Sequence, residues 1–199
     1  MKKPIIGIIA RPNKLANEKI FYGTYENYLK KVIQNKGLPI IIAPYQLNKK
    51  DLIKLLELCD GLIEPGGDDP EEYDLFIDKY ALSHDIPVLG ICLGFQVMAI
   101  NDGAKLKEVD NHYLTNHLVK INDGTILKKI YQKNFIMTNS RHHFKINKVN
   151  KCLASATYNN VVEAIERSDK CFYIGVQWHP EDLKDNALFK SFIEKCIKN

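Results

Sequence analysis

The chain has 199 residues, 45% of them hydrophobic and 26% charged, which is ordinary globular composition with enough length to bury a core unaided. A formal net charge of +4, with Lys and Arg interleaved among apolar residues as at Lys49-Lys50 and Lys128-Lys129, argues against a nucleic-acid groove. No apolar run approaches the ~20 residues that cross a bilayer. The five cysteines are widely spaced without a C-x-x-C pair, which argues against a disulfide framework or zinc ribbon, so a cytoplasmic protein is expected.

Taken in chain order, strand-length apolar runs alternate with helix-period segments, the layout of βαβ units around a mostly parallel sheet. Residues 4–10 read as a buried first strand. A helix is predicted over 24–36, with Tyr25, Tyr28, Leu29, Val32 and Ile33 on one stripe and Gly37 placed to end it. Residues 38–43 read as the next buried strand, stopped by Pro44. Asn48 is placed to cap a helix running to Cys59. A short strand over 61–64 leads into the loop Pro65-Gly66-Gly67-Asp68-Asp69-Pro70, then a helix over 72–83 and a strand over 86–91. Cys92 follows, then a helix to Asp102.

After Gly103 the pattern becomes hairpin-rich, with β-like pieces at 118–121, 135–137, 153–156, 161–166 and 172–177. Turns are read at Asn122-Asp123-Gly124, Asn159-Asn160 and Ser168-Asp169-Lys170. A closing amphipathic helix is predicted over 182–197. No repeat or linker interrupts the chain, so residues 1–199 are expected to form one domain.

The segment Gly90-Ile91-Cys92-Leu93-Gly94 joins a buried strand to a helix start, the spacing of a nucleophile elbow. A helix N-terminus also favours a thiolate there. Cys59, Cys152, Cys171 and Cys196 are read as ordinary packed cysteines. A thiolate nucleophile needs a base, and the base needs an orienting group. In Trp178-His179-Pro180-Glu181, His179 sits at a strand end and Glu181 falls two residues on, on the same side of extended chain. Gly67, in the glycine pair after the third strand, can bring its N–H close to a developing oxyanion, with the amide of Leu93 as second donor. All three segments fall at carboxyl ends of strands, where open α/β sheets build their sites.

Together, Pro65-Gly66-Gly67, Gly90-Ile91-Cys92-Leu93-Gly94-Phe95-Gln96 and Gln177-Trp178-His179-Pro180-Glu181 resemble the signatures of class I glutamine amidotransferases. Asn139-Ser140-Arg141-His142-His143 resembles the N-S-x-H segment lining that family's glutamyl pocket. The resemblance implies a flavodoxin-like α/β fold and a glutamyl thioester on Cys92, with His179 as base and acid and Glu181 orienting it. It also implies substrate binding by Gly66, Gln96, Asn139, Ser140, Arg141 and His142, with Gln96 and the backbone near Ser140 holding the glutamyl α-groups.

Within the family, the opening I-I-G-I-I-A-R-P and the V-V-E-A-I-E and I-G-V-Q-W-H-P-E strings look most like the γ-glutamyl-γ-aminobutyrate hydrolase branch. Hydrolysis of a γ-glutamyl amide is therefore expected, and the alternative is a glutaminase subunit feeding ammonia to a separate synthase. Leu93 stands where that branch often has arginine, and the stretch from Pro65 to Cys92 is short. The leaving amine stays open between aminobutyrate, another polyamine-derived amine and a larger nucleotide-linked amide.

No cofactor or metal is expected. His112, His117, Asp110 and His84 match no common ligand spacing and read as solvent-exposed. Tyr22, Tyr25 and Tyr28 have two readings, the edge of a substrate mouth or homodimer contact and core packing; core packing is preferred.

Overall fold

In the computed structural model, which describes residues 2–110, 112–146 and 148–197, the apolar run I-I-G-I-I forms strand β1 (Ile5–Ile9). A hairpin of β2 (Arg11–Lys14) and β3 (Ile20–Gly23) follows, then α1 (Glu26–Gln34), β4 (Leu38–Ile42), α2 (Lys49–Leu56) and β5 (Gly61–Glu64). Next come α3 (Glu72–Ser83), β6 (Val88–Ile91) and α4 (Leu93–Asn101). The second half runs β7 (Lys107–Glu108), β8 (Tyr113–Ile121), α5 (Ile126–Tyr131), β9 (Phe135–Arg141), β10 (Phe144–Lys145), β11 (Leu153–Tyr158), β12 (Val161–Glu166) and β13 (Tyr173–Val176). A 3-10 turn (Pro180–Asp182) and α6 (Ala187–Cys196) close it.

Nine strands make one sheet in the order β4-β1-β5-β6-β13-β12-β11-β8-β9. The pairings from β4 through β13 are parallel, and those from β13 onward to β9 are antiparallel. The parallel half is laid down by βα crossovers, the antiparallel half by hairpins, as the shift in sequence pattern after Gly103 anticipates. Helices cover both faces. On one, Tyr28 and Val32 of α1, Leu127 of α5 and Phe189 and Phe192 of α6 pack on the sheet; on the other lie Leu56 of α2, Ile77 of α3 and Phe95 and Met98 of α4. Among the described residues, no helix is long and apolar enough to cross a membrane.

Several expected details differ. The strand expected to be buried at 38–43 is the sheet's edge, so Leu38 and Ile41 are about half exposed, at 46% and 49%. The α1 stripe buries Tyr28 and Val32, but Ile33 and Tyr25 face outward and Lys31 is buried in their place. Lys31 is held there because its ammonium donates to the carbonyls of Leu183 and Asp185 and to Asn186 Oδ1 at 2.6–2.8 Å, tying α1 to the approach of α6. The left-handed residue that ends α1 is Lys36 (φ +69°), one position before Gly37, whose N–H closes the turn on the Val32 carbonyl. The turn read at 122–124 leads into a helix, α5. Thr125 caps it, and the buried Glu166 carboxylate accepts the N–H groups of Ile126 and Leu127 at 2.6 and 3.0 Å.

A candidate active site at three neighbouring strand ends

Strands β5, β6 and β13 lie side by side, with Glu64 opposite Gly90 and Gly90 opposite Gly175 in register. Their carboxyl ends therefore deliver the 65–67 loop, Cys92 and the 177–181 segment to one spot. At Cys92 the chain turns from β6 into α4 through φ +53° and ψ −98°, a region that costs a non-glycine residue about 1–3 kcal/mol. The turn is tight enough that a Cβ on Gly94 would run into the Glu64 carbonyl, which is why glycine follows the elbow. The strained turn puts the Cys92 thiol at the wall of the cleft, only 6% of the residue being exposed.

Cys92 Sγ accepts from the side-chain amide of Gln177 at 3.7 Å, and Gln177 in turn accepts from Gln96 Nε2 at 3.4 Å. Across the cleft, His179 Nδ1 meets Glu181 Oε1 at 2.7 Å. Burial pulls the His179 imidazolium towards deprotonation, but pairing with Cys92 and Glu181 outweighs it and pushes the pKa up to about 10. His179 is therefore charged at neutral pH, lying between the thiol and the carboxylate. Gly66 fills the remaining side: a Cβ there would stand 2.9 Å from His179 Cε1 and 3.6 Å from Cys92 Cβ. Leu93 packs against Gly67, close enough that a Cβ on Gly67 would fall 2.9 Å from Leu93 Cδ2. The Leu93 N–H, first in α4, has no intrahelical acceptor, and among the described residues neither it nor the Gly67 N–H takes another.

The residues expected to bind substrate separate into two groups. Gly66 and Arg141 border a cleft of about 830 Å³ together with Cys92, His179 and Glu181. Gln96 is buried behind Gln177. Asn139 grips the backbone of His179, Ser140 Oγ donates to the His112 carbonyl, and the His142 ring faces Glu163 within the sheet's antiparallel half. Arg141 pairs with Asp182 at 2.7 Å on the cleft rim. Burial favours the neutral acid at Asp182, yet hydrogen bonds from Asn27 and Arg141 hold its carboxyl below the usual range.

Two further residues belong to the site: Tyr28, for which core packing was preferred over the substrate mouth, and Arg11, which was not anticipated. Tyr28 is buried as core packing requires, yet its hydroxyl also accepts the Gly66 N–H at 3.1 Å and lies beside Glu181. Its phenol is pushed well above the ordinary value, by burial first and then by the Glu181 charge. Arg11 makes two 2.7 Å bonds to the Asp74 carboxylate and donates to the Asp69 carbonyl at 2.9 Å, pinning the loop that carries Gly66 and Gly67. A guanidinium followed by proline after the first strand was the available signal; its partners lie 58 and 63 positions away.

Comparison with known proteins shows which family the chain resembles. A glutamine amidotransferase-like protein of Rickettsia prowazekii is 28% identical over 99% of this chain and 98% of its own length. The γ-glutamyl-γ-aminobutyrate hydrolase of Escherichia coli O157:H7 is 28% identical over 98% of this chain and 94% of its own. CTP synthase of Mycoplasmopsis pulmonis is 30% identical over 77% of this chain, which spans 37% of that protein. In fold, the glutaminase domain of Trypanosoma brucei CTPS, solved with acivicin bound, superposes with a TM-score of 0.76 at 19% identity, covering 98% of this chain and 94% of that one. The family described as Peptidase C26 matches over residues 4–76 and 69–181. With most of its length matched, and with relatives that include a hydrolase aligned nearly end to end, the chain belongs to the Peptidase C26 family of glutamine amidotransferase-like hydrolases.

Proposed function

We propose that the chain hydrolyses a γ-glutamyl amide to glutamate and a free amine through a thioester on Cys92. The observation that carries this reading is the thiol in a strained elbow beside a histidine whose proton affinity is raised by Cys92 and Glu181. In the first half-reaction the Cys92 thiolate adds to the γ-carbonyl carbon. The N–H groups of Gly67 and Leu93 receive the oxyanion, and His179 gives its proton to the departing amine nitrogen. In the second, His179 takes a proton from water, hydroxide adds to the thioester, and collapse releases glutamate and the Cys92 thiolate. Glu181 holds the imidazole tautomer and its charge throughout.

The Escherichia coli hydrolase, 28% identical over 94% of its own length, supports the hydrolase reading, and the CTP synthase relative at 30% identity supports the glutaminase as the second reading. A cleft of about 830 Å³ has room for the glutamyl group and its leaving amine together, with Arg141 on its rim. The test is glutamate release by purified protein from L-glutamine, γ-glutamyl-aminobutyrate and bulkier γ-glutamyl amides, with Cys92→Ala as control. Cys92-dependent release from a γ-glutamyl amide, with glutamine poorly used, supports the reading. Silence on the whole panel, with Cys92 still alkylated by a thiol reagent, would replace it with the synthase-dependent glutaminase.

A further inference from the structure

The antiparallel half of the sheet holds a cluster that the proposed reaction does not use. Strands β8 and β9 pair with Tyr113 opposite Arg141, so His112 and His142, one residue beyond each, are neighbours at the end of the ladder, and the His142 N–H reaches the His112 carbonyl. His117 comes from the same β8, and Glu163 from β12 nearby in the sheet. Of the histidines expected to be solvent-exposed, His84 is exposed but His112 and His117 are buried, at 5% and 6%; His142, expected to bind substrate, is 2% exposed and Glu163 0%.

The Nε2 atoms of all three histidines converge on one atom, each standing 3.6 Å from Glu163 Oε1. That is too long for a hydrogen bond, and these nitrogens and both Glu163 oxygens have no hydrogen-bond partner. The rings are also set in one tautomer. His112 Nδ1 meets the Asp110 carbonyl at 2.9 Å and His142 Nδ1 meets the Phe144 carbonyl at 2.8 Å; a carbonyl only accepts, so each Nδ1 bears the proton. In the neutral form of these two rings, Nε2 then presents a lone pair to a carboxylate oxygen that has only lone pairs to offer. Among the described residues no lysine or arginine pairs with Glu163. A cation is what this arrangement lacks.

We propose that His112, His117, His142 and Glu163 form a closed structural site for a divalent first-row transition metal, with zinc the best fit. The ligand atoms of His112, His142 and Glu163 already lie within 4.8 Å of one another; His117 stands outside that trio, 3.6 Å from Glu163 Oε1, and would move in as the fourth ligand. Tetrahedral zinc with bonds of about 2.0–2.1 Å holds its ligands about 3.3 Å apart, so the 3.6 Å histidine–Glu163 spacings need a small inward shift, and the imidazoles must also draw towards one another. Three imidazoles and one carboxylate suit zinc, and offer too few oxygens for calcium or magnesium. Backbone carbonyls on the far ring nitrogens are the support that metal-binding histidines use. None of the four residues borders the cleft, so the metal would join β8, β9 and β12 rather than meet substrate.

The experiment uses untagged full-length protein, stripped with EDTA and dialysed, then titrated with zinc and separately with cobalt. One zinc retained per chain after gel filtration, a tetrahedral cobalt absorption spectrum and a raised Tm are the expected results. All three should persist in Cys92→Ala and be lost in Glu163→Gln and in His112→Gln, with folding followed by circular dichroism. Failure of folded wild-type protein to take up either metal would overturn the site. So would thiolate-to-cobalt charge-transfer bands, loss of uptake in Cys92→Ala, or uptake undiminished in the Glu163 and His112 variants. Because the wild-type and Cys92→Ala measurements decide alone, a variant that fails to fold leaves the test intact.

Discussion

Asn139 holds the backbone of His179 from both sides: its carboxamide oxygen accepts the His179 N–H at 2.9 Å, and its amide donates to the His179 carbonyl at 3.0 Å. The clamp runs from β9 to the segment after β13, joining the antiparallel half of the sheet to the strand ends that carry the thiol. It fixes where the imidazole base sits while touching neither the thiol nor Glu181.

Losing the clamp should therefore loosen the base without removing it. Asn139→Ala is expected to lower kcat about 10- to 100-fold, in line with the cost of small misplacements in a reacting constellation, and to change KM less. Asn139→Asp keeps the acceptor and loses the donor, so it should fall between Ala and wild type. Steady-state kinetics on the best γ-glutamyl amide, with circular dichroism confirming the fold, checks both. A KM effect alone would show that Asn139 meets substrate.

The strain at Cys92 makes a separable prediction about stability. Alanine at this position removes the thiol but keeps the positive φ; glycine removes both the thiol and the strain. Both variants should be inactive. Cys92→Gly should nevertheless be more stable than Cys92→Ala by about 1 kcal/mol, read from urea unfolding at equal m-values. Equal stabilities would mean that the turn relaxes around alanine and is not held strained by its surroundings.

Much of the parallel half was legible in sequence because each of its elements is local: an apolar run, a cap such as Asn48, or a breaker such as Pro44. The chemical residues were legible for the same reason, since strand-end motifs name their own positions. What escaped depends on distant partners. Lys31 takes a place on the apolar stripe only because the segment leading into α6 brings two carbonyls to it, and α5 forms because Glu166, 40 positions on, caps its start. The histidine cluster has no recognisable spacing because the β8–β9 register, not sequence proximity, puts His112 beside His142.

The charged state of His179 has a pH signature whose sign follows from linkage. Its folded pKa is raised from 6.5 to about 10, by Cys92 and Glu181 against the opposing effect of burial. The stability contributed by its proton is therefore fully present below pH 6.5 and is lost as pH rises through about 10. The stability difference between wild type and His179→Gln should shrink from pH 6.5 towards 10. Glu181→Gln removes one of the two raising partners, so in that background the loss should begin at lower pH. Urea unfolding across this range measures it; a difference that grows with pH would contradict the assigned charge.

Glu64 titrates with the opposite consequence. Its carboxylate is fully buried at the end of β5, and neither oxygen has a hydrogen-bond partner. Burial pushes its pKa well above the ordinary carboxylate value, and the charges of Asp78 and Asp74 push the same way, with Arg11 only partly offsetting them. The folded protein keeps this proton where the unfolded chain has released it, so stability falls as pH rises above about 4.5. Asp78, raised by burial to about 6, adds a slope of the same sign between 3.8 and about 6. Glu64→Gln removes the first of these slopes while preserving shape. Relative to wild type, that variant should gain stability as pH rises above about 4.5, by about 1 kcal/mol or more for each unit over which Glu64 keeps its proton in the fold but not in the unfolded chain. Thermal melts of both proteins in matched buffers give the comparison, and parallel curves would mean that Glu64 is ionised in the fold, with a cation or water at its unpaired oxygens.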